Sequence, residues 1–286
     1  MASPAAPAEA RPGLTGLLIR AGLFVLFVWA GSLLFGGLLH GLFENLLVSA
    51  ALGVFLASAA ASALVVRIFE RGRLEDVGLG WWPDGGRHFL SGTLAGLIAG
   101  LAAVLVPAAL GLAEIVRAPE PELAFSPGKF LFVTVLLWFG AAGEELMFRG
   151  YAFQILLRRL GPWQTILPFG LLFALAHTGN PNAEWTGLAV TGLWGVVLGY
   201  AFYRAGDLWL PIGIHFGWNW ALPLLGVRVS GFTMGLTGFA VRWKAGPLWS
   251  GGEYGIEGGL PGAAAALGLG LWLWRRKWQR RAAAGV

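Results

Sequence analysis

Apolar runs of roughly 20 residues, interrupted by short polar or Gly/Pro-bearing breaks, recur along the whole chain. As a helix such a run rises about 30 Å, the thickness of a bilayer's hydrocarbon core. The pattern predicts helices near residues 21–39, 46–66, 89–114, 130–160, 163–179, 185–203, 208–225 and 260–274. That is an all-α polytopic membrane bundle of about eight transmembrane helices. The fourth stretch meets no breaker before Gly161-Pro162 and is expected to continue as helix beyond the hydrocarbon; the eighth is short. Residues 1–13 are Pro/Ala-rich and are expected to form a flexible tail, leaving 14–286 as a single transmembrane domain. The apolar stretch from Ala21 to Leu39 exceeds the apolar centre of a signal peptide, and further spans follow, so it is expected to remain as the first helix.

Composition agrees with the pattern. Of 286 residues 57% are hydrophobic and 12% charged, against about 25% charged in soluble domains. There is no cysteine, which excludes disulfides, thiolate nucleophiles and cysteine-ligated metals. The net charge of +5 does not point to nucleic acid, because the basic residues gather at helix ends. One set of loops and ends holds Arg11, Arg20, Arg67, Arg71, Arg73, Arg87, Arg149, Arg158, Arg159, Arg204, Arg275, Arg276, Lys277, Arg280 and Arg281. The other holds Arg117, Lys129, Arg228, Arg242 and Lys244. This bias places both termini in the cytoplasm of an integral protein of the cytoplasmic membrane, and omitting the eighth helix would strand the 275–281 cluster outside. Gly92, Gly96 and Gly100, and likewise Gly195 and Gly199, form small-residue stripes that let helices approach closely. The Gly-rich stretch 226–258, with Trp243, Trp249 and Tyr254, reads as an exterior loop resting on the interface, without chemistry.

Against this background a few polar residues stand out, because an ionisable side chain at membrane depth costs about 2.5–3.5 kcal/mol even on the lenient insertion scale. They are Glu144, Glu145, Arg149, His177, His215 and Asn219. Glu145 and Arg149 are spaced for an i,i+4 ion pair, acid first. Glu144 lies about 100° around the helix from Glu145 and should point elsewhere. Phe173 and His177 share a face, as do His215 and Asn219. Counting from the turn at Gly161, Glu144 and His177 both lie about 25 Å along their helices and hence at similar depth. Asn219 is again well inside. Singly, each has a structural explanation: an ion pair, a hydrogen-bonded core imidazole, an interhelical amide. Together at one depth they point to a site. His40 and His88, at helix ends, receive no role.

A buried Glu beside a His can take a proton from water, since desolvation brings a carboxylate toward the working pH. Glu145, held charged by Arg149, would orient Glu144, while His215 and Asn219 could donate to the oxyanion of a tetrahedral intermediate. No nucleophilic side chain is evident: there is no G-x-S-x-G, and no H-E-x-x-H zincin motif either. The inventory favours attack by activated water on an acyl group, most plausibly a peptide bond. Zinc held by two His and two Glu is a chemical alternative. A peptide-binding or immunity protein and a proton-coupled transporter are others, although no inverted repeat of broken helices supports transport.

The same residues carry a family resemblance. Glu144-Glu145-Leu-Met-Phe-Arg149 resembles the E-E-x-x-x-R motif of the CPBP (Abi) family, which groups CAAX-type intramembrane endopeptidases with bacteriocin-processing relatives. Phe173-Ala-Leu-Ala-His177 resembles its F-x-x-x-H motif, and His215-Phe-Gly-Trp-Asn219 its H-x-x-x-N motif. The resemblance spans about 130–225, the expected catalytic core. It implies that Glu144 and His177 activate water, that His215 and Asn219 hold the oxyanion, and that Glu145, Arg149 and Phe173 support them. It implies no cofactor or metal, and a membrane-associated or prenylated peptide as substrate. It also implies an eight-helix bundle whose cavity opens to the cytosol and the bilayer. Helical phase and motif both favour Glu144 over Glu145 as the carboxylate facing that cavity.

Overall fold

A computed structural model of the chain describes residues 13–81, 83–118, 120 and 123–278. The expected tail, save Gly13, lies outside the described residues, as do Arg280 and Arg281. The chain is mostly helical: α1 (Leu14–Phe43), α2 (Leu46–Val65), α3 (Pro83–Ala109), α4 (Pro127–Arg149), α5 (Tyr151–Leu160), α6 (Pro162–Ala176), α7 (Trp185–Ala205), α8 (Trp209–Leu224), the single turn α9 (Pro247–Ser250) and α10 (Leu260–Arg275). Among the described residues five helical stretches are long and apolar enough to cross a membrane: Leu14–Phe43, Leu46–Glu70, Asp84–Ala109, Pro127–Leu160 and Trp185–Ala205. Helices α6, α8 and α10 are apolar but run only 15, 16 and 16 residues. Helix α1 buries Leu17, Phe24 and Val28 and leaves Leu18, Leu26, Leu33 and Leu38 exposed. Apolar surface on this scale is what lipid covers.

Three expectations about the elements are corrected. The fourth stretch is not one helix: the backbone breaks at Gly150 (ψ −142°), where a Cβ would fall on the carbonyl of Leu146. Gln154 Nε2 donates to the Arg149 carbonyl at 3.0 Å and to Val77 at 2.8 Å, occupying a backbone acceptor at the break. The third stretch ends at Ala109, because Gly111 turns the chain at φ 75°. Beyond it lies a strand, β1 (Ala113–Arg117), paired antiparallel with β2 (Phe239–Trp243) from the Gly-rich stretch 226–258 that was expected as a loop. Lys244 closes this ladder on Glu114 at 2.5 Å, and its ammonium holds that carboxyl below the usual carboxylate range.

Interhelical contact follows the small residues. α3 lies along α8 over most of its length. A Cβ on Gly92 or Gly96 would strike the α8 backbone at Leu210 or Ile214, and one on Gly213 or Gly217 would strike α3 at Phe89 or Thr93. Gly170 of α6 faces Gly195 of α7 in the same way. Asp207 fixes the start of α8: its carboxylate accepts from the Trp209 and Leu210 N–H groups at 3.0 and 3.2 Å and pairs with His88 at 2.5 Å.

Hydrogen bonds tie the connections into two sets. At the arginine-rich end Leu208 N–H donates to Gly78, and Arg204 donates to the Trp274 and Arg276 carbonyls. At the opposite end Asn180 donates to Ser230, Gly231 to Tyr254, Ala118 to Gly238 and Lys244 N–H to Leu112.

Candidate active site

Glu144 projects from α4 into a cavity of about 310 Å³ bounded by α2, α4, the end of α6, α8 and residues 229–234. His177, His215 and Asn219 line the same cavity. Glu145 does not; it is fully buried one position further around the helix. Glu144 Oε2 lies 3.7 Å from His177 Nε2 and 3.9 Å from His215 Nε2. Buried at the atom level, that oxygen has no hydrogen-bond partner among the described residues.

The far side of each imidazole is committed. His177 caps the C-terminus of α6, and its Nδ1 meets the Phe173 carbonyl at 2.7 Å. A carbonyl only accepts, so Nδ1 carries the proton and Nε2 of the neutral ring presents its lone pair toward Glu144. His215 Nδ1 meets Glu145 Oε1 at 2.9 Å. The same carboxylate oxygen accepts from Arg149 at 3.0 Å, while the guanidinium also donates to the Gly195 carbonyl at 2.6 Å and lies 4.8 Å over the Phe173 ring. Arg149 and Glu145 are both wholly inaccessible. The chain Arg149–Glu145–His215 thus runs from α7 through α4 to α8, with Phe173 packed against it and edge-on to Phe148.

Residues 126–221 match the family model of Rce1-like type II CAAX prenyl endopeptidases. The match bears out the family resemblance read from the three motifs and covers about a third of the chain. A search of curated proteins finds no match. The Rce1-like segment begins just before α4 and runs into α8, so it holds every candidate residue. With the apolar helices, it supports an integral membrane protein of the intramembrane endopeptidase class.

Several cavity residues fall outside the motifs: Asn180, Ser230, Phe232 and Met234, the last three from the Gly-rich stretch to which no chemistry was assigned. Behind them Glu257 is buried; it accepts from Trp218 Nε1 at 2.8 Å, from the Ser230 hydroxyl at 3.1 Å and from the Ser230 N–H. Since Trp218 precedes Asn219 on α8, Glu257 ties the helix bearing His215 and Asn219 to the loop that walls the cavity. Tyr254, adjacent, bonds Thr191 at 3.3 Å, and burial beside the Glu257 carboxylate pushes its phenol up to about 12. A solitary acid in a loop gives no periodic signal, and its partners lie far away in sequence. The larger apolar groove between α3 and α10 holds none of the candidate residues.

Proposed function

We propose that the chain is a glutamate-type intramembrane endopeptidase acting on a membrane-associated or prenylated peptide. Glu144 and the lone pair of His177 Nε2 together polarise a water. Its oxygen attacks the scissile carbonyl carbon, and its proton passes to this pair and then to the leaving amine. His215 in its doubly protonated form, with Nδ1–H held by Glu145 and Nε2–H toward the cavity, and Asn219 donate to the oxyanion; Glu145, Arg149 and Phe173 hold His215 and α6 in place. What supports the reading above all is the buried, unpartnered Oε2 of Glu144, within 3.9 Å of both imidazole Nε2 atoms in one cavity. Separations of 3.7–3.9 Å exceed a direct hydrogen bond and suit a shared water.

Metal chemistry would draw on Glu144, His177 and His215, but among the described residues no group of three or more such side chains is arranged to hold an ion. Purified Glu144→Gln should lose at least about 100-fold in kcat on a prenylated fluorogenic peptide, the usual scale for removing a general base. Parent activity should survive a strong chelator. Full activity of Glu144→Gln would defeat the assignment, and chelator inactivation reversed by zinc would transfer the same residues to a metal-assisted hydrolysis.

A further inference from the structure

We propose that a single structural water lodges between α7, α8 and the buried Glu257, and that Trp194 and Glu257, acting through it, fix the Asn219 carboxamide with its NH2 group toward the active-site cavity. The role of Asn219 as an oxyanion donor rests on the protease reading; the water site does not.

A second, much smaller cavity of about 20 Å³ lies against the first. His177, His215, Asn219 and Ser230 line both. Behind them the small cavity is walled by Thr191 and Trp194 of α7, Trp218 of α8 and Glu257. Its volume exceeds the roughly 10–15 Å³ that one water requires. Trp194 is buried, and its Nε1–H has no hydrogen-bond partner among the described residues. Buried waters occupy such positions because they answer polar groups that the fold leaves unsatisfied, typically with about three hydrogen bonds each.

The walls supply those three. Trp194 Nε1–H can only donate, so the water accepts from it and has two protons to place. Glu257 takes one: its carboxylate accepts from Trp218 Nε1 at 2.8 Å, from the Ser230 hydroxyl at 3.1 Å and from the Ser230 N–H, three donors on a group with about four lone-pair sites. The other polar walls are engaged. Thr191 bonds Tyr254 at 3.3 Å, the Nδ1 atoms of His177 and His215 meet Phe173 and Glu145, and both Nε2 atoms face Glu144. The second proton therefore goes to Oδ1 of Asn219, the residue after Trp218. The two ends of a carboxamide are nearly equal in size, so packing alone does not choose between them. A donor behind Oδ1 does, and it leaves the NH2 group for the oxyanion. Glu257 as a simple loop fastener would account for its bonds to Trp218 and Ser230 but would leave Trp194 Nε1 without a function.

Two measurements test this. A crystallographic map of the purified parent, at a resolution that shows ordered waters, should place one within hydrogen-bond distance of Trp194 Nε1, a Glu257 oxygen and Asn219 Oδ1. A dry cavity, or a water that misses Asn219, overturns the proposal. Trp194→Phe removes the N–H without removing a bond to any described residue. On the prenylated fluorogenic peptide it should lower kcat about tenfold with KM unchanged, a part of the roughly 10²–10³ that one oxyanion donor carries. In an Asn219→Ala background the same substitution should cost less than about twofold, because the group it positions is gone. Equal losses in both backgrounds, or a raised KM in place of the lowered kcat, would mean that Trp194 serves packing and would defeat the proposal. If Trp194→Phe fails to fold, the map of the parent decides. If Glu144→Gln cleaves as well as the parent, the protease reading fails, and the map still decides the water site.

Discussion

Arg149 is the most costly residue to place in this molecule and the most informative to remove. Its guanidinium and the Glu145 carboxylate are wholly buried, and each depends on the other for compensation. Deleting one partner of such a pair typically costs about 3–5 kcal/mol, whereas replacing both with apolar groups is often neutral. Arg149→Met and Glu145→Leu should therefore each lower the thermal unfolding temperature markedly, and the double variant should regain most of the loss. Peptide cleavage should not return with stability, because His215 Nδ1 would still lack the Glu145 oxygen at 2.9 Å. A double variant regaining full activity would reduce the pair to a fastener. The i,i+4 pairing was legible in the sequence because it is local. The link from Glu145 to His215 spans 70 positions, and the commitment of His177 Nδ1 to the Phe173 carbonyl depends on α6 ending at that residue. Spacing shows which faces residues share, not which nitrogen carries a proton.

At the scale of elements, the stripe of Gly92, Gly96 and Gly100 announced a close helix contact, while its partner, α8, became visible only in three dimensions. That partner matters, because α8 carries His215 and Asn219. Gly96→Leu would drive a side chain into the Ile214 carbonyl region, and overpacking of this kind costs about 1–3 kcal/mol. Cleavage should fall more than stability alone explains, since a displaced α8 moves both proposed oxyanion donors. Gly22→Ala in α1, with nothing within 4 Å of the added Cβ, should instead be neutral or stabilising by up to about 1 kcal/mol. Equal effects in the two variants, measured by thermal unfolding and initial rate, would count against α8 placement as the reason. Gly150 was illegible for a related reason: a glycine in an apolar run reads as a tolerated helix residue, and only its backbone angles reveal the break. The β1–β2 pair was missed because its strands stand some 120 residues apart and neither is amphipathic enough to announce itself.

The whole molecule is uneven in thickness, and the thin part is where the candidate site lies. Helices α6, α8 and α10 measure about 22–24 Å at 1.5 Å per residue, against a hydrocarbon core of about 30 Å. The five longer stretches cover the full span. His177 ends α6, and His215 and Asn219 ride on α8, so these side chains belong to the short helices. A bilayer meeting a short hydrophobic length thins locally, at a cost of fractions of a kcal/mol per Å of mismatch. Thinning there brings water, which the proposed reaction consumes, toward a carboxylate that would otherwise face lipid depth. Acyl chain length should then act as a control on rate. In vesicles of increasing chain length, at matched headgroup and above the melting temperature, kcat/KM should decline as the bilayer thickens, while Arg149-dependent thermal stability changes less. The longer helices can tilt to fit either bilayer; the short ones can only be buried deeper. A rate indifferent to thickness would mean that water and peptide reach Glu144 through the end loops alone, and that the shortness of α6 and α8 serves packing rather than access.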